Sequence, residues 1–196
     1  MSKLILASAS PRRKELLKNL GYAFSIEVCD LDENSDKTKP YELVMDLAQT
    51  KAKAIMDMHA GEDVIVIGAD TVVANESEIL GKPRDLEHAK EMISSLQGKT
   101  HQVYTGVCLY WNNEKINQNL TFYEKTDVEV YPMTTEEIEA YVATRECEDK
   151  AGSYAIQGLF SPYIKGISGD YNNVVGLPVA RIYQEIRKLG LVITND

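Results

Sequence analysis

The sequence predicts an α/β protein with a mixed central sheet and flanking helices, and three observations predict it. Two short apolar runs, "LILA" at residues 4–7 and "VIVI" at 64–67, have the length of buried strands. Between them, "YELVMDLAQTKAKAIMDMH" repeats apolar residues at helical spacing. Beyond them lies a long region rich in β-branched and aromatic residues, broken at Asn112-Asn113 in the manner of a hairpin. Antiparallel strands therefore fall mostly in the second half.

Taken in order, Leu4 to Ala7 form the first strand. Ser10 suits an N-cap, Pro11 the first helical position, and Gly21 the close of a helix carrying Leu16, Leu17 and Leu20. "CDLDENSDKTKP" is polar and acidic and predicts an exposed loop. In the next helix Leu43, Leu47, Ile55 and Met58 mark the apolar stripe. "VIVIGADTVVA" is β-branched on both sides of Gly68 to Thr71, which predicts strand, break, strand. "DLEHAKEMISSLQG" is a capped amphipathic helix from Asp85 to Gly98, and Thr134 with Glu137 makes a capping box for a short helix. Asn112-Asn113 would join "VYTGVCLYW" to "TFYEKTDVEVY", and "SYAIQG" through "GISGDYNNVVGLP" suggests further strands before a last helix from Pro178 to Gly190. With no linker rich in Pro, Gly or Ser, residues 1–196 form a single domain.

Composition narrows the function. The 196 residues carry 30 Asp and Glu against 21 Lys and Arg, a net charge of −9. That balance disfavours a nucleic-acid partner, because a phosphate backbone needs a broad basic face. A small anion needs only a few cations converging in one place. The longest apolar runs are far too short to span a bilayer, and an amino terminus that breaks into Ser-Pro-Arg-Arg is unlike a secretory signal. Cys29, Cys108 and Cys147 are widely spaced and form no CxxC, as expected of reduced core thiols in a cytoplasmic protein.

Against this acidic background, "LASASPRRKELL" concentrates cations just after the first strand. Unpaired N–H groups and the helix dipole at such a strand-to-helix turn hold phosphate well, and Arg12 and Arg13 add bidentate donors. Both sit at the unfavourable end of that dipole, so either a polyphosphate accounts for them or they form a solvated basic first turn. Lys51 lies four residues from both Leu47 and Ile55 and so shares the apolar stripe, where it snorkels or meets an anion. Asp70 and Thr71, at the end of a buried strand past Gly68, suit a metal ligand or base, or else an Asx-turn. Lys82 sits in the tight "LGKPRD" turn, and "EDKAGSYAIQG" offers Lys150 and Gln157, whose amide could read a base edge.

Other signals fail. "ISSLQGKT" puts Ile93 where a P-loop has its first glycine, and its Gly98 ends a helix instead of opening one. There is no GxSxG, and His59, His88 and His101 have no zinc spacing and are expected to be surface or half-buried residues.

In this order, "LASASPRRKELL", "LAQTKAKA", "GADTVV", "GKPRD", "DKAGSYAIQG" and "GDYNNVVGLP" resemble the Maf family (septum-formation-protein homologues) of nucleoside triphosphate pyrophosphatases across nearly the whole chain. The resemblance implies the Maf/Ham1-like fold of the inosine triphosphate pyrophosphatases, with a deep cleft between two lobes. It implies hydrolysis of a nucleoside triphosphate to the monophosphate and pyrophosphate with a divalent cation, Mg²⁺, Mn²⁺ or Co²⁺. The family's phosphate-binding positions fall on Ser8, Arg12, Arg13, Lys51 and Lys82, its catalytic carboxylate on Asp70, and its metal positions on Asp70 and Glu33. Its specificity positions fall on Arg12, Thr71 and Gln157, and Gln157 matches the branch acting on dTTP and UTP. The branch preferring 7-methyl-GTP would carry Glu there. Modified pyrimidine nucleotides, a pyrophosphatase preferring 7-methyl-GTP, or a non-catalytic nucleotide-binding role in cell division and septum formation are the alternatives. "IQGLFSPYIKGISGDY" departs from the family in lacking a glycine-rich "GRGG"-like turn, which bears on the base-side wall. An exposed edge in the β-rich second half offers a surface for a homodimer.

Overall fold

The computed structural model describes residues 2–31, 34–76, 78–113 and 116–194. Among the described residues, seven strands and six α-helices carry the fold: β1 (Lys3–Ala7), α1 (Pro11–Lys18), β2 (Phe24–Ile26), α2 (Pro40–Met58), β3 (Val64–Asn75), β4 (Glu78–Leu80), α3 (Leu86–Leu96), β5 (Thr100–Asn113), β6 (Ile116–Val130), α4 (Thr135–Ala143), β7 (Ile164–Ser168), α5 (Tyr171–Val175) and α6 (Val179–Lys188). The sheet runs β2-β1-β3-β5-β6-β7, with β4 on β3. It is mixed, as expected: β1 is parallel to β2 and β3, while β3–β4 and β6–β7 are antiparallel.

By contacts the chain divides into two compact units. One comprises Met1–Asp70, Thr105–Glu124 and Gly176–Asp196, and the other Thr71–Tyr104 and Lys125–Val175. Strands β3, β5 and β6 each pass from one into the other. The core of the first packs Ile5, Ala7, Val64 and Val66 against Ala48, Ala52, Ile55 and Met56 of α2, with Cys108 behind. In the second, α3 packs on α4, and Phe160 lies fully buried among the rings of Tyr141, Tyr154 and Tyr163.

The caps stand where the sequence puts them. Ser10 and Asp85 accept the N–H of Arg13 and His88, and Thr134 and Glu137 close a capping box. Gly21 and Gly190 follow the ends of α1 and α6 with φ of 74° and 66°. Several expectations are overturned. Gly68 does not break a strand, because β3 continues through all 12 residues. A Cβ there would stand 2.2 Å from the Ala48 carbonyl oxygen, so the glycine exists to admit α2 against the sheet. Asp70 consequently lies within β3 and not at its end. Met58 is 63% exposed, since the buried face of α2 follows Val44, Leu47, Ala48, Ala52, Ile55 and Met56. β5 runs on through Asn113, and the residues joining it to β6 lie outside those described. "YNNVV" is the short helix α5, leaving Ile164–Ser168 as the strand of that region. β2 was not foreseen, because three residues with little burial leave no periodic signal.

The thiols are free, as read, but Cys29 is exposed while Cys108 and Cys147 are buried. His101 is wholly buried, its Nε2 2.7 Å from the Tyr154 hydroxyl, and burial pulls its pKa down to about 4, so it sits neutral in the core. No helix of the described residues is long and apolar enough to cross a membrane.

Because the atom a Gly68 Cβ would strike is backbone, Gly68→Ala should destabilise the protein by about 3 kcal/mol in urea melts. An unchanged midpoint would mean that α2 can move away from β3 without cost.

Candidate active site

The turn after β1 is built around one buried hydroxyl. Ser8 Oγ accepts the Ser10 N–H at 3.3 Å and an Arg13 Nη1–H at 3.2 Å, while Arg13 Nε donates to the Gly176 carbonyl at 2.9 Å. The guanidinium is thus held from two sides, by its own turn and by the segment leading into α6. The first turn of α1 has no acidic residue to suit the helix dipole, and Arg13 spends its donors on fixed geometry instead. Arg12 is half-buried beside it.

The second cluster joins α2 to β3. Lys51 Nζ donates to Asp70 Oδ1 at 2.7 Å, with side-chain exposures of 17% and 14%. The apolar stripe therefore brings Lys51 inward, as its spacing predicts, and the anion it meets is a protein carboxylate. Residue 53, two positions on, points outward and pairs with Asp57 at 2.5 Å on the surface. Alternation along β3 puts Val64, Val66, Gly68 and Asp70 on the face covered by α2, and sends Thr71 to the opposite face. Asp70 and Thr71, adjacent in sequence, leave the strand in opposite directions.

Strand register brings the two clusters together. In the parallel pair, Ala7 stands opposite Gly68. Ser8 leaves β1 one residue beyond that pair, and Asp70 lies two residues beyond it on a neighbouring strand about 4.8 Å away. The Ser8–Arg13 turn and the Lys51–Asp70 pair accordingly lie close together just past the carboxyl end of β1, while β3 runs on to Asn75.

The remaining candidates belong to the second unit. Lys82 is exposed in the loop between β4 and α3, where the Gly81 carbonyl accepts the Gly152 N–H at 3.0 Å. Gln157 is exposed on a turn between buried Ile156 and Phe160. Lys150 turns inward to the Glu146 carbonyl and to Asp149 Oδ1 at 2.6 Å. Glu33 lies outside the described residues.

Among the described residues no three His, Cys, Asp or Glu side chains gather to hold a cation. The donor chemistry at Asp70 nevertheless fits Mg²⁺ or Mn²⁺. These hard ions are held by one or two carboxylates together with substrate phosphates and water, and not by an all-protein cage.

The Maf-like protein family model matches residues 3–189. The chain belongs to the Maf-like family. Its relatives include proteins named dTTP/UTP pyrophosphatase from Agathobacter rectalis, 51% identical over 97% of this chain and 99% of that one, and from Bacillus thuringiensis subsp. konkukian, 47% identical over the whole of both. A third, from Bacillus cytotoxicus, is 49% identical over 96% of each. Among solved structures, a nucleoside-triphosphatase/dITP/XTP pyrophosphatase from Mycobacterium abscessus superimposes with a TM-score of 0.46 at 11% identity, covering 96% of this chain and 97% of that chain. The Ham1 protein of Staphylococcus aureus gives 0.41 at 13%, over 66% and 72%.

Sequence reasoning missed the Gly176 carbonyl as the anchor of Arg13. Its signal was present, since "GDYNNVVGLP" carries Gly176, but no local pattern links that glycine to a residue 163 positions away.

If Ser8 fixes Arg13 for an anion, Ser8→Ala should weaken pyrophosphate binding about tenfold by calorimetry, the worth of one such hydrogen bond, while the melting temperature moves little. Unaltered affinity would remove Ser8 from the site.

Proposed function

We propose that this chain, acting as one domain over residues 1–196, hydrolyses dTTP and UTP to the nucleoside monophosphate and pyrophosphate. What carries the proposal is the register that brings the Ser8–Arg13 turn out beside the Lys51–Asp70 pair. The full-length identity to relatives named for that reaction supports the substrate.

Cleaving a phosphoanhydride needs an in-line water, neutralised charge and a held leaving group. Ser8, Arg12, Arg13, Lys51 and Lys82 are the residues we assign to the phosphates, the guanidinium of Arg13 being already fixed by Ser8 and Gly176. Asp70 orients the attacking water and takes its proton. Lys51, 2.7 Å away, keeps that carboxylate in place until substrate arrives, then has a phosphate oxygen as a second partner. Asp70, with Glu33, would hold the divalent cation. When bound, the cation neutralises phosphate charge and makes the water more acidic. Arg12, Thr71 and Gln157 are assigned to choice of nucleotide, Gln157 offering both a donor and an acceptor to a pyrimidine edge.

Asp70→Asn keeps the shape and a hydrogen-bond acceptor for Lys51 but loses the base. Its kcat on dTTP should fall about a thousandfold, with circular dichroism and melting close to wild type. Phosphate release coupled to an inorganic pyrophosphatase measures it. Turnover at the wild-type rate would take the chemistry away from Asp70.

A further inference from the structure

Glu146 and the turn that carries Gln157 form a unit that neither sequence motif nor chemistry of the phosphates explains. The turn over residues 156–160 is held at its ends by Ile156, 8% exposed, and Phe160, fully buried. Within it, the Gly158 N–H donates to the Ala155 carbonyl at 3.2 Å and the Ser161 N–H to the Gly158 carbonyl at 3.0 Å. Beneath it lies a carboxylate. Both oxygens of Glu146 accept the Leu159 N–H, at 2.9 and 3.1 Å. A Cβ on residue 158 would stand 2.0 Å from Glu146 Oε1, so the glycine is there to let the acid reach the main chain.

Glu146 is itself held. Its N–H donates to Thr144 Oγ1 at 3.3 Å, and its carbonyl accepts from the Lys150 ammonium. The "EDKAGSYAIQG" stretch thereby closes on itself: Lys150 fixes the backbone of Glu146, and Glu146 fixes the backbone two residues after Gln157. Gln157 alone in this turn presents a polar side chain to solvent on an immobilised main chain. An amide that must distinguish a base edge gains from such a mount, because a fixed backbone loses less freedom when the ligand binds. Ionised Glu makes a stronger bond to a main-chain N–H than a neutral side chain would.

We infer that Glu146 is a positioning residue for base selection, acting through the Gln157–Gly158–Leu159 turn without touching the nucleotide. The inference rests on the assignment of Gln157 to the base.

The test compares Glu146→Ala, Glu146→Gln, Gln157→Ala and the Glu146→Ala/Gln157→Ala double variant, with dTTP as substrate and inorganic tripolyphosphate as a base-free competitive inhibitor. Glu146→Ala should raise the KM for dTTP about tenfold and change kcat less than threefold. The inhibition constant of tripolyphosphate should stay the same, and Glu146→Gln, which keeps an acceptor for Leu159, should recover most of the loss. The double variant should be no worse than Gln157→Ala alone, since both changes disable one device. Gly158→Ala, which displaces the carboxylate by steric contact, should reproduce the defect if Glu146→Ala fails to fold.

An unchanged KM in Glu146→Ala beside a raised one in Gln157→Ala would overturn the inference and leave the role of Gln157 standing. A parallel rise in the tripolyphosphate constant would mean a general structural role and would also overturn it. No effect of Gln157→Ala on the ranking of dTTP against other triphosphates would overturn the assignment of Gln157, and the inference with it.

Discussion

The close approach of α2 to β3 at Gly68 is the contact on which the rest depends. With no side chain at that position, the Ala48 carbonyl and the Ala52 methyl come down onto the strand. Lys51 lies on the same helical face, one position before Ala52, and Asp70 lies on the same strand face, two positions beyond Gly68. Their 2.7 Å contact follows from that packing. A larger residue at 68 would lift the helix and separate the pair. Core packing and the placement of the charged centre are thus a single event.

The parallel pairing of β1 with β3 adds the second element. It takes a turn from the first residues of the chain and an acid some sixty residues later and brings them together just past the end of β1. This resolves how a protein with a net charge of −9 can be suited to a polyanion. Many of its acids are paired locally on the surface, as in Lys18–Glu15, Arg145–Glu148 and Lys165–Glu129. Such exposed pairs contribute little to stability and their field is screened within about 10 Å. Arg13, by contrast, is committed to a fixed geometry in the turn after β1.

Much of the fold was legible because it is written locally. The caps at Ser10, Asp85 and Thr134, the stripe through Leu47 and Ile55, and the glycines after α1 and α6 each state a rule within one or two helical turns. Legibility failed where the reason lay elsewhere in the chain. Gly68 looked like a break because its true partner, Ala48, is twenty residues away. His101 is expected at the surface or half-buried because nothing nearby announces Tyr154. Met58 seemed part of the core until Met56 took that face. In the site, Lys51 announced its inward direction by spacing alone. Which carboxylate it would meet, and that Asp70 and Thr71 face opposite ways, needed the strand to be seen whole.

In the proposed reaction the triphosphate lies along the turn after β1 with its α-phosphorus beside Asp70. A crystal structure with an α,β-imido analogue of dTTP and Mg²⁺, which resists cleavage at the bond in question, tests this most directly. The prediction is phosphate oxygens within hydrogen-bonding distance of Arg13 and Lys51 and the α-phosphate facing the Asp70 carboxylate. A triphosphate bound with Asp70 still closed on Lys51 and no phosphate near Ser8 or Arg13 would contradict it.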